Sequence, residues 1–283
     1  MKTGVIGLGL IGGSLAASLK KNGVASHIIG MDANKDNANT ALDLGLIDEV
    51  ASLDDMMTAS ELVIIAIPVD QAREVLKEAL DKIPDDTVIT DMGSTKTGIC
   101  EAVANHPNRR NYVASHPIAG TEFSGPEAAV PNLFEEKVAI ICEADEVAIP
   151  LLSRVEAMYA SLNMRVVYMS PEEHDLHMAY VSHLSHISSF ALSTTVLGKE
   201  KDEKTIFDLA GSGFESTVRL AKSSPEMWGP IFKQNSKNVS EALGTYIEHL
   251  TKIKEMIDSG EDKKLNEMMI DANSIRKILN GIK

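Results

Sequence analysis

Thr3-Gly4-Val5-Ile6-Gly7-Leu8-Gly9-Leu10-Ile11-Gly12-Gly13, followed by a helical run to Lys21 and by Asp32 twenty residues after Gly12, is the stretch that decides the fold. A G-x-G-x-x-G pattern alone is weak evidence, because glycines are common. Here it follows a β-rich run, opens a helix, and is answered by an acidic residue at the end of the next β-rich run, and in that setting each glycine has a task. Gly7 makes the tight turn, Gly9 lets a pyrophosphate approach the backbone, and Gly12 lets the helix pack close to the strand. Leu10, Ile11 and Gly12 begin a helix whose free N–H groups and positive dipole end face the anion. Asp32 is placed to accept hydrogen bonds from the adenosine ribose, and its carboxylate repels a 2′-phosphate, so the expected cofactor is NAD rather than NADP.

Outward from that turn, short β-rich runs alternate with helical stretches. The runs fall at 3–7, 27–31, 62–67, 87–91, 112–115, 138–142 and 165–169, and stretches such as 12–21, 70–82 and 146–162 have helical spacing. The strands are apolar on both faces, as buried parallel strands require. Repeated βα units predict an α/β fold with a Rossmann-type, doubly wound parallel sheet. From Ser170 onward the strand signal stops. Ser170-Pro171-Glu172-Glu173 is a helix start in which Ser170 caps, Pro171 takes the first turn and Glu173 completes a capping box. The expected organisation is a dinucleotide-binding domain over 1–169 and an all-helical C-terminal domain over 170–283.

Ser224-Pro225-Glu226 is a second helix start, interrupted at Gly229-Pro230 before a long helix. In that helix Val239, Leu243, Tyr246, Leu250, Ile253 and Ile257 recur at alternating steps of four and three, a seam that packs against another helix. Core packing within the domain and a subunit interface are equally compatible with it.

Composition narrows the function classes. The 283 residues are 44% hydrophobic and 24% charged with 10 prolines, which describes a globular chain rather than a disordered one. A net charge of −14 with no basic run argues against nucleic acid as a partner. No segment approaches the ~18 uninterrupted apolar residues of a membrane span. The apolar N-terminal stretch is broken by glycines and reads as a folded turn rather than a leader. The two cysteines, Cys100 and Cys142, have neither disulfide-framework nor zinc spacing, which fits a reducing cytoplasm.

The chemistry is expected just beyond strand ends, which face the ligand crevice of an open sheet. Asp91-Met92-Gly93-Ser94-Thr95-Lys96 follows one strand and Ser115-His116-Pro117-Ile118-Ala119-Gly120-Thr121-Glu122 the next, so Ser94 and His116 are expected to meet above the nicotinamide. Hydride removal from an alcohol requires a group to take the hydroxyl proton, and histidine suits that near neutral pH. His174, His177, His183 and His186 lie on one predicted helix, but spacings of three, six and three do not keep all four on one face, so no metal site is expected. Arg219 follows the glycine-rich turn Gly211-Ser212-Gly213, a plausible place for an anion-binding residue.

Taken together, the glycine motif, Gly93-Ser94-Thr95-Lys96, His116 through Glu122, Ser182-His183-Leu184-Ser185-His186, and Gly213-Phe214 through Arg219 to Trp228 resemble the prephenate dehydrogenase family. The resemblance runs over nearly the whole chain, in order. It implies NAD-dependent oxidative decarboxylation of prephenate to 4-hydroxyphenylpyruvate, the tyrosine-biosynthetic step, by a homodimer paired through its helical domain. On the matching positions it implies His116 as catalytic base supported by Ser94, His186 and Arg219 as substrate ligands, and Thr121, Glu122, Ser182 and Trp228 lining the pocket. The chain departs from the commoner pattern at Ser185, where many members have proline, and at Ser216, where some have aspartate near the arginine. Arogenate dehydrogenase differs only in the substrate side chain and stays open. A two-domain 3-hydroxyacid dehydrogenase generally relies on a second-domain lysine, which the matched motifs lack. A non-catalytic NAD-sensing dimer would need no proton acceptor.

Overall fold

The computed structural model describes residues 1–201 and 205–280. Among them, eight strands form one sheet: β1 (Lys2–Ile6), β2 (His27–Met31), β3 (Glu49–Val50), β4 (Leu62–Ile65), β5 (Val88–Asp91), β6 (Tyr112–Pro117), β7 (Val138–Cys142) and β8 (Arg165–Met169), in the order β3-β2-β1-β4-β5-β6-β7-β8. Between them run α1 (Leu10–Lys21), α2 (Lys35–Asp43), α3 (Leu53–Ala59), α4 (Val69–Asp81), α5 (Thr97–Val103) and α6 (Ile149–Ser161). Successive strand residues face opposite layers. Val5, Ile28, Leu62, Ile64, Val113 and Ile141 enter one apolar cluster with α1 and α6, and Ile6, Ile29, Val63, Ile65, Ala114 and Ile140 enter the other with α3, α4 and α5.

All seven predicted strands are present, with ends displaced by two residues at most, and the sheet is doubly wound. The exposed two-residue β3 at the sheet edge carries no sequence signal. The sheet is parallel except where β6 pairs antiparallel with β7. Residues 118–137 join these two strands with only a short 3₁₀ turn, Pro126–Ala128. Parallel neighbours need a crossover, usually a helix, and without one the chain turns back.

After β8 the chain is helical, and the capping box forms as expected. Ser170 Oγ accepts from the Glu173 amide at 3.1 Å and Glu173 Oε2 from the Ser170 amide at 2.9 Å. There follow α7 (Pro171–Met178), a π-helical turn at Ala179–His183, α8 (Leu184–Glu200), α9 (Ser212–Val218), a 3₁₀ turn at Arg219–Lys222, α10 (Pro225–Gln234), α11 (Ser236–Asp258), α12 (Asp262–Ala272) and α13 (Ile275–Asn280). The four histidines thus share one helical run broken by a π turn. Two local readings are corrected. Gly211 caps α9, which already includes Ser212 and Gly213, and Pro230 lies inside α10 rather than breaking it. Burial of Trp228 and Ile231 against Val69 holds α10 through its proline.

By compactness the chain divides into Met1–Ser236 and a second unit that begins at Lys237. Along the seam of α11, Val239 is buried, whereas Leu250 is 46% and Ile257 61% exposed. Among the described residues no helix is long and apolar enough to cross a membrane.

Candidate active site

The strand order reverses between β1 and β4, and ligands of doubly wound sheets bind at such a switch point. Gly7 sits there at φ +92°, a conformation that favours glycine, and a Cβ on it would lie 2.4 Å from the Ala66 carbonyl oxygen. A Cβ on Gly12 would lie 1.9 Å from the Gly7 carbonyl oxygen, whereas one on Gly9 would meet nothing within 4 Å. Gly12 is therefore required by packing, and Gly9 leaves open space. No side chain caps α1, and its first internal bond runs from the Gly13 amide to the Gly9 carbonyl at 2.9 Å. The amides of Leu10, Ile11 and Gly12 thus have no acceptor among the described residues. Asp32 Oδ2 accepts from the Leu8 amide and Oδ1 from the Asn34 amide, both at 2.8 Å, so the carboxylate that stands at the end of β2 also braces the glycine turn. Bare first-turn amides, open space at Gly9 and a fixed carboxylate one strand away fit a dinucleotide such as NAD.

His116 is fixed by the backbone register of β6, where it pairs with Ile140. Its neighbour Ser115 points to the opposite face and bonds Thr90 Oγ1, the Asp91 carbonyl and the Tyr159 hydroxyl. His116 Nδ1 lies 2.8 Å from His174 Nε2 on α7, and His174 Nδ1 lies 2.8 Å from Asp175 Oδ1. Asp175 also accepts from the amides of Lys96, at 2.7 Å, and Thr97, at 3.0 Å. These amides open α5, which lacks a side-chain cap of its own, so Asp175 caps it from another helix. Burial pulls the His116 pKa well below the usual imidazole value, and the neighbouring His174 ring and the Lys96 charge lower it further. Burial pushes the Asp175 carboxyl up, but the hydrogen bonds from His174, Thr97 and Lys96 outweigh that and leave it below the usual carboxylate range.

Beneath this triad lies a buried ion pair, Lys96 Nζ to Asp91 Oδ2 at 2.5 Å. Removing such charges from water is costly unless their remaining bonds are satisfied. Here the Tyr112 hydroxyl and the Gly93 amide complete the Asp91 carboxylate, at 2.7 and 2.9 Å. The pair fixes the chain between β5 and α5, which carries Ser94. Ser94 is half-buried in that loop, and it is His174, not Ser94, that hydrogen-bonds His116.

Of the remaining expected residues, His186 and Trp228 meet directly. The His186 ring stacks on the Trp228 indole with centroids 3.5 Å apart, and its Nδ1 lies 3.0 Å from the Ser182 carbonyl. A carbonyl can only accept, so Nδ1 carries the hydrogen and the neutral ring leaves Nε2 bare. Burial lowers the His186 pKa, the Ser182 carbonyl opposes this, and the Arg219 charge reinforces it. Arg219, half-exposed, bonds Glu122 Oε2 at 3.0 Å. Glu122 is held below the usual carboxylate range by its own backbone amide and by the Arg219 guanidinium. Thr121 is exposed, with its hydroxyl accepting from the Phe123 amide at 3.3 Å.

Four groups in this network carry no role in the sequence reading: His174, Asp175, Lys96 and Asn235. Asn235 donates to the Asp175 carbonyl at 2.6 Å and lies 3.2 Å from His183 Nδ1. The adjacent His-Asp pair in a helical run was the one available signal. Among the described residues no three His, Cys, Asp or Glu side chains group as metal ligands, since His174 and His183 spend ring nitrogens inside the protein.

Comparison with known proteins gives a consistent answer. A sequence model described as "Prephenate dehydrogenase, nucleotide-binding domain" matches residues 15–168, and one described as "Prephenate dehydrogenase, dimerization domain" matches residues 170–271. The chain is 34% identical over 262 residues to a prephenate dehydrogenase of Bacillus subtilis (strain 168), covering 92% of this chain and 71% of that one. A crystal structure of prephenate dehydrogenase from Aquifex aeolicus, in complex with hydroxyphenyl propionate and NAD+, superposes with a TM-score of 0.90 at 34% identity, over 99% of this chain and 98% of that one. A Synechocystis arogenate dehydrogenase superposes with a TM-score of 0.79 at 26% identity, over 99% and 100% of the two chains.

Proposed function

Since the chain belongs to the prephenate dehydrogenase family, we propose that it catalyses the NAD-dependent oxidative decarboxylation of prephenate to 4-hydroxyphenylpyruvate. The observation that carries this reading is His116 at a strand end of the nucleotide-binding sheet, with Nδ1 engaged by His174. Bound NAD supplies the acceptor for a hydride from C4 of the substrate. His116 takes the C4 hydroxyl proton, for which burial and the charge of Lys96 keep it neutral and receptive. As the ring carboxylate leaves as carbon dioxide, the electron pair of the broken bond aromatises the ring, and the phenolate oxygen recovers a proton. The balance is prephenate dianion and NAD+ to 4-hydroxyphenylpyruvate monoanion, carbon dioxide and NADH.

Within that reading Arg219 anchors a substrate carboxylate, Glu122 holds the guanidinium until substrate replaces it, and neutral His186, backed by Trp228, presents Nε2 to a donor. Ser94 orients the hydroxyl, while Thr121 and Ser182 line the same cleft. Gly7, Gly9, Leu10, Ile11 and Gly12 receive the pyrophosphate and Asp32 the ribose. We assign residues 1–169 to cofactor binding and 170–283 to substrate binding and dimerisation. The exposed apolar residues of the second unit, among them Leu250, Ile257 and Ile270, support pairing with a second copy. Two buried, unbridged cysteines support a cytoplasmic setting.

Purified protein mixed with NAD and prephenate is expected to release NADH and carbon dioxide in equal amounts. Absence of NADH would overturn the assignment, and a higher kcat/KM with arogenate would transfer it to that substrate.

A further inference from the structure

Two histidines facing each other through ring nitrogens must agree on which one carries the hydrogen, and here the surroundings decide. Asp175 receives the amides of Lys96 and Thr97, and a carboxylate among donors is itself only an acceptor. The hydrogen between Asp175 Oδ1 and His174 therefore sits on His174 Nδ1. A neutral His174 then offers a lone pair at Nε2, so the hydrogen between the two rings sits on His116 Nδ1. His116 Nε2 is left bare. The chain of constraint starts at the backbone of α5 and ends at the atom that must accept a proton.

We propose that His174 is a positioning residue that, locked by Asp175, holds His116 in the tautomer with Nε2 unprotonated. The inference rests on the proposed dehydrogenase reading of His116. His174 and Asp175 are both buried, with His174 fully shielded, so solvent does not compete for these bonds. Reversing the His174 ring would set a carbon against the Asp175 carboxylate and another against His116 Nδ1. When Nε2 takes the substrate proton, the Nδ1–H of the new imidazolium bonds His174 more strongly, and the Asp175 charge stands behind that ring. The other charged or titratable groups facing the pair are Lys96, tied to Asp91, and His183, tied to Asn235. None of them can replace Asp175 as an acceptor for His174 Nδ1. A histidine held in the wrong tautomer keeps its place but loses its function as a base.

The test uses the full-length protein labelled with ¹⁵N-histidine, without cofactor, so that tautomers are read directly from the nitrogen shifts, independently of turnover. The parent is expected to show His116 and His174 both with Nδ1–H and a bare Nε2. His174→Leu is expected to lose the preference at His116 and to lower kcat roughly 10²-fold, with the NAD dissociation constant and the KM for prephenate nearly unchanged. His174→Gln places an amide oxygen where Nε2 stood and is expected to recover the tautomer and most of kcat. Asp175→Ala removes the acceptor of His174 Nδ1 and is expected to lose the tautomer preference at both rings. Should His174→Leu fail to fold, the glutamine and Asp175→Ala variants decide. A parent with Nε2–H on His116, or folded variants with altered tautomers and parental kcat, would overturn the proposal. A parent with the expected tautomers and no prephenate oxidation would overturn only the functional reading.

Discussion

At the β1–α1 turn the ligand is met by backbone, and the deciding residues Gly7, Gly9 and Gly12 fall within six consecutive positions. At His116 the work is done by side chains of β6 and α7 and by Asn235 after α10, anchored on backbone amides at the start of α5, positions that the sequence scatters over more than a hundred residues. The first region tolerates change wherever no atom stands in the way and fails by collision elsewhere. The second fails by leaving a buried polar group without its partner, which costs about 1–3 kcal/mol even before any catalytic loss. Substitutions should therefore separate the two regions cleanly, into lost cofactor binding on one side and lost turnover on the other.

The largest separation is expected at His116. His116→Asn should lower kcat roughly 10²–10⁴-fold, the range for loss of a general base, while calorimetry finds parental NAD affinity. A folded variant with near-parental turnover would take His116 out of the chemistry and dissolve the contrast.

Acid should strike the side-chain region first. Burial pulls the His183 pKa down to about 4, against the opposing charge of Asp175 and with help from His174 and His186. The unfolded chain takes up this proton near pH 6.5, the folded one only near 4, so between these values the unfolded state binds more protons. Stability is then full above about pH 6.5 and declines as the pH falls toward 4. At about 1.4 kcal/mol per pKa unit this amounts to about 3 kcal/mol for His183. Denaturant titrations across that range should show the decline, and His183→Gln should flatten part of it. An equal slope in parent and variant would remove His183 as its source.

Arg219 should give a smaller effect. A desolvated guanidinium lost from a substrate carboxylate costs heavily, but Arg219 is 50% exposed and already paired with Glu122. Arg219→Ala is accordingly expected to raise the KM for prephenate about 10- to 100-fold, Arg219→Lys less, and neither should change NAD affinity. If neither variant changes KM, the carboxylate is anchored elsewhere.

The comparison also explains what the sequence disclosed. Strand alternation, the glycine turn and the capping box at Ser170 depend on neighbours within a few residues, and their outlines were legible. The antiparallel β6–β7 pair was not, because its cause is the missing crossover helix in 118–137, an absence that glycine and proline content blurs. Pro230 misled in the opposite direction, since burial of Trp228 outweighs the local preference against it. His116 was legible from its strand-end position, but its partner was not. No spacing links His116 to His174, and only packing of α7 against the sheet brings them together.

Asp32 belongs to both kinds of region, and for that reason the smallest effect is the most discriminating. Each of its oxygens already accepts a backbone amide, one from Leu8 inside the glycine turn and one from Asn34. Oδ1 also receives the Asn37 side-chain amide at 3.4 Å, so it is Oδ2 that keeps a lone pair for a ribose hydroxyl. The same charge would face a 2′-phosphate at close range and repel it. Asp32→Ala removes the ribose acceptor, the repulsion and the brace on the turn together, so NAD efficiency should fall while NADP efficiency changes little. The NAD/NADP ratio of kcat/KM is expected to drop about 10-fold, the equivalent of one charge-assisted hydrogen bond. Asp32→Asn keeps an oxygen for the Leu8 amide and should preserve more of the NAD efficiency while losing the discrimination. A parent that used NADP with the higher kcat/KM would show that Asp32 serves the turn alone, and the backbone region would then hold its cofactor without any side chain to select it.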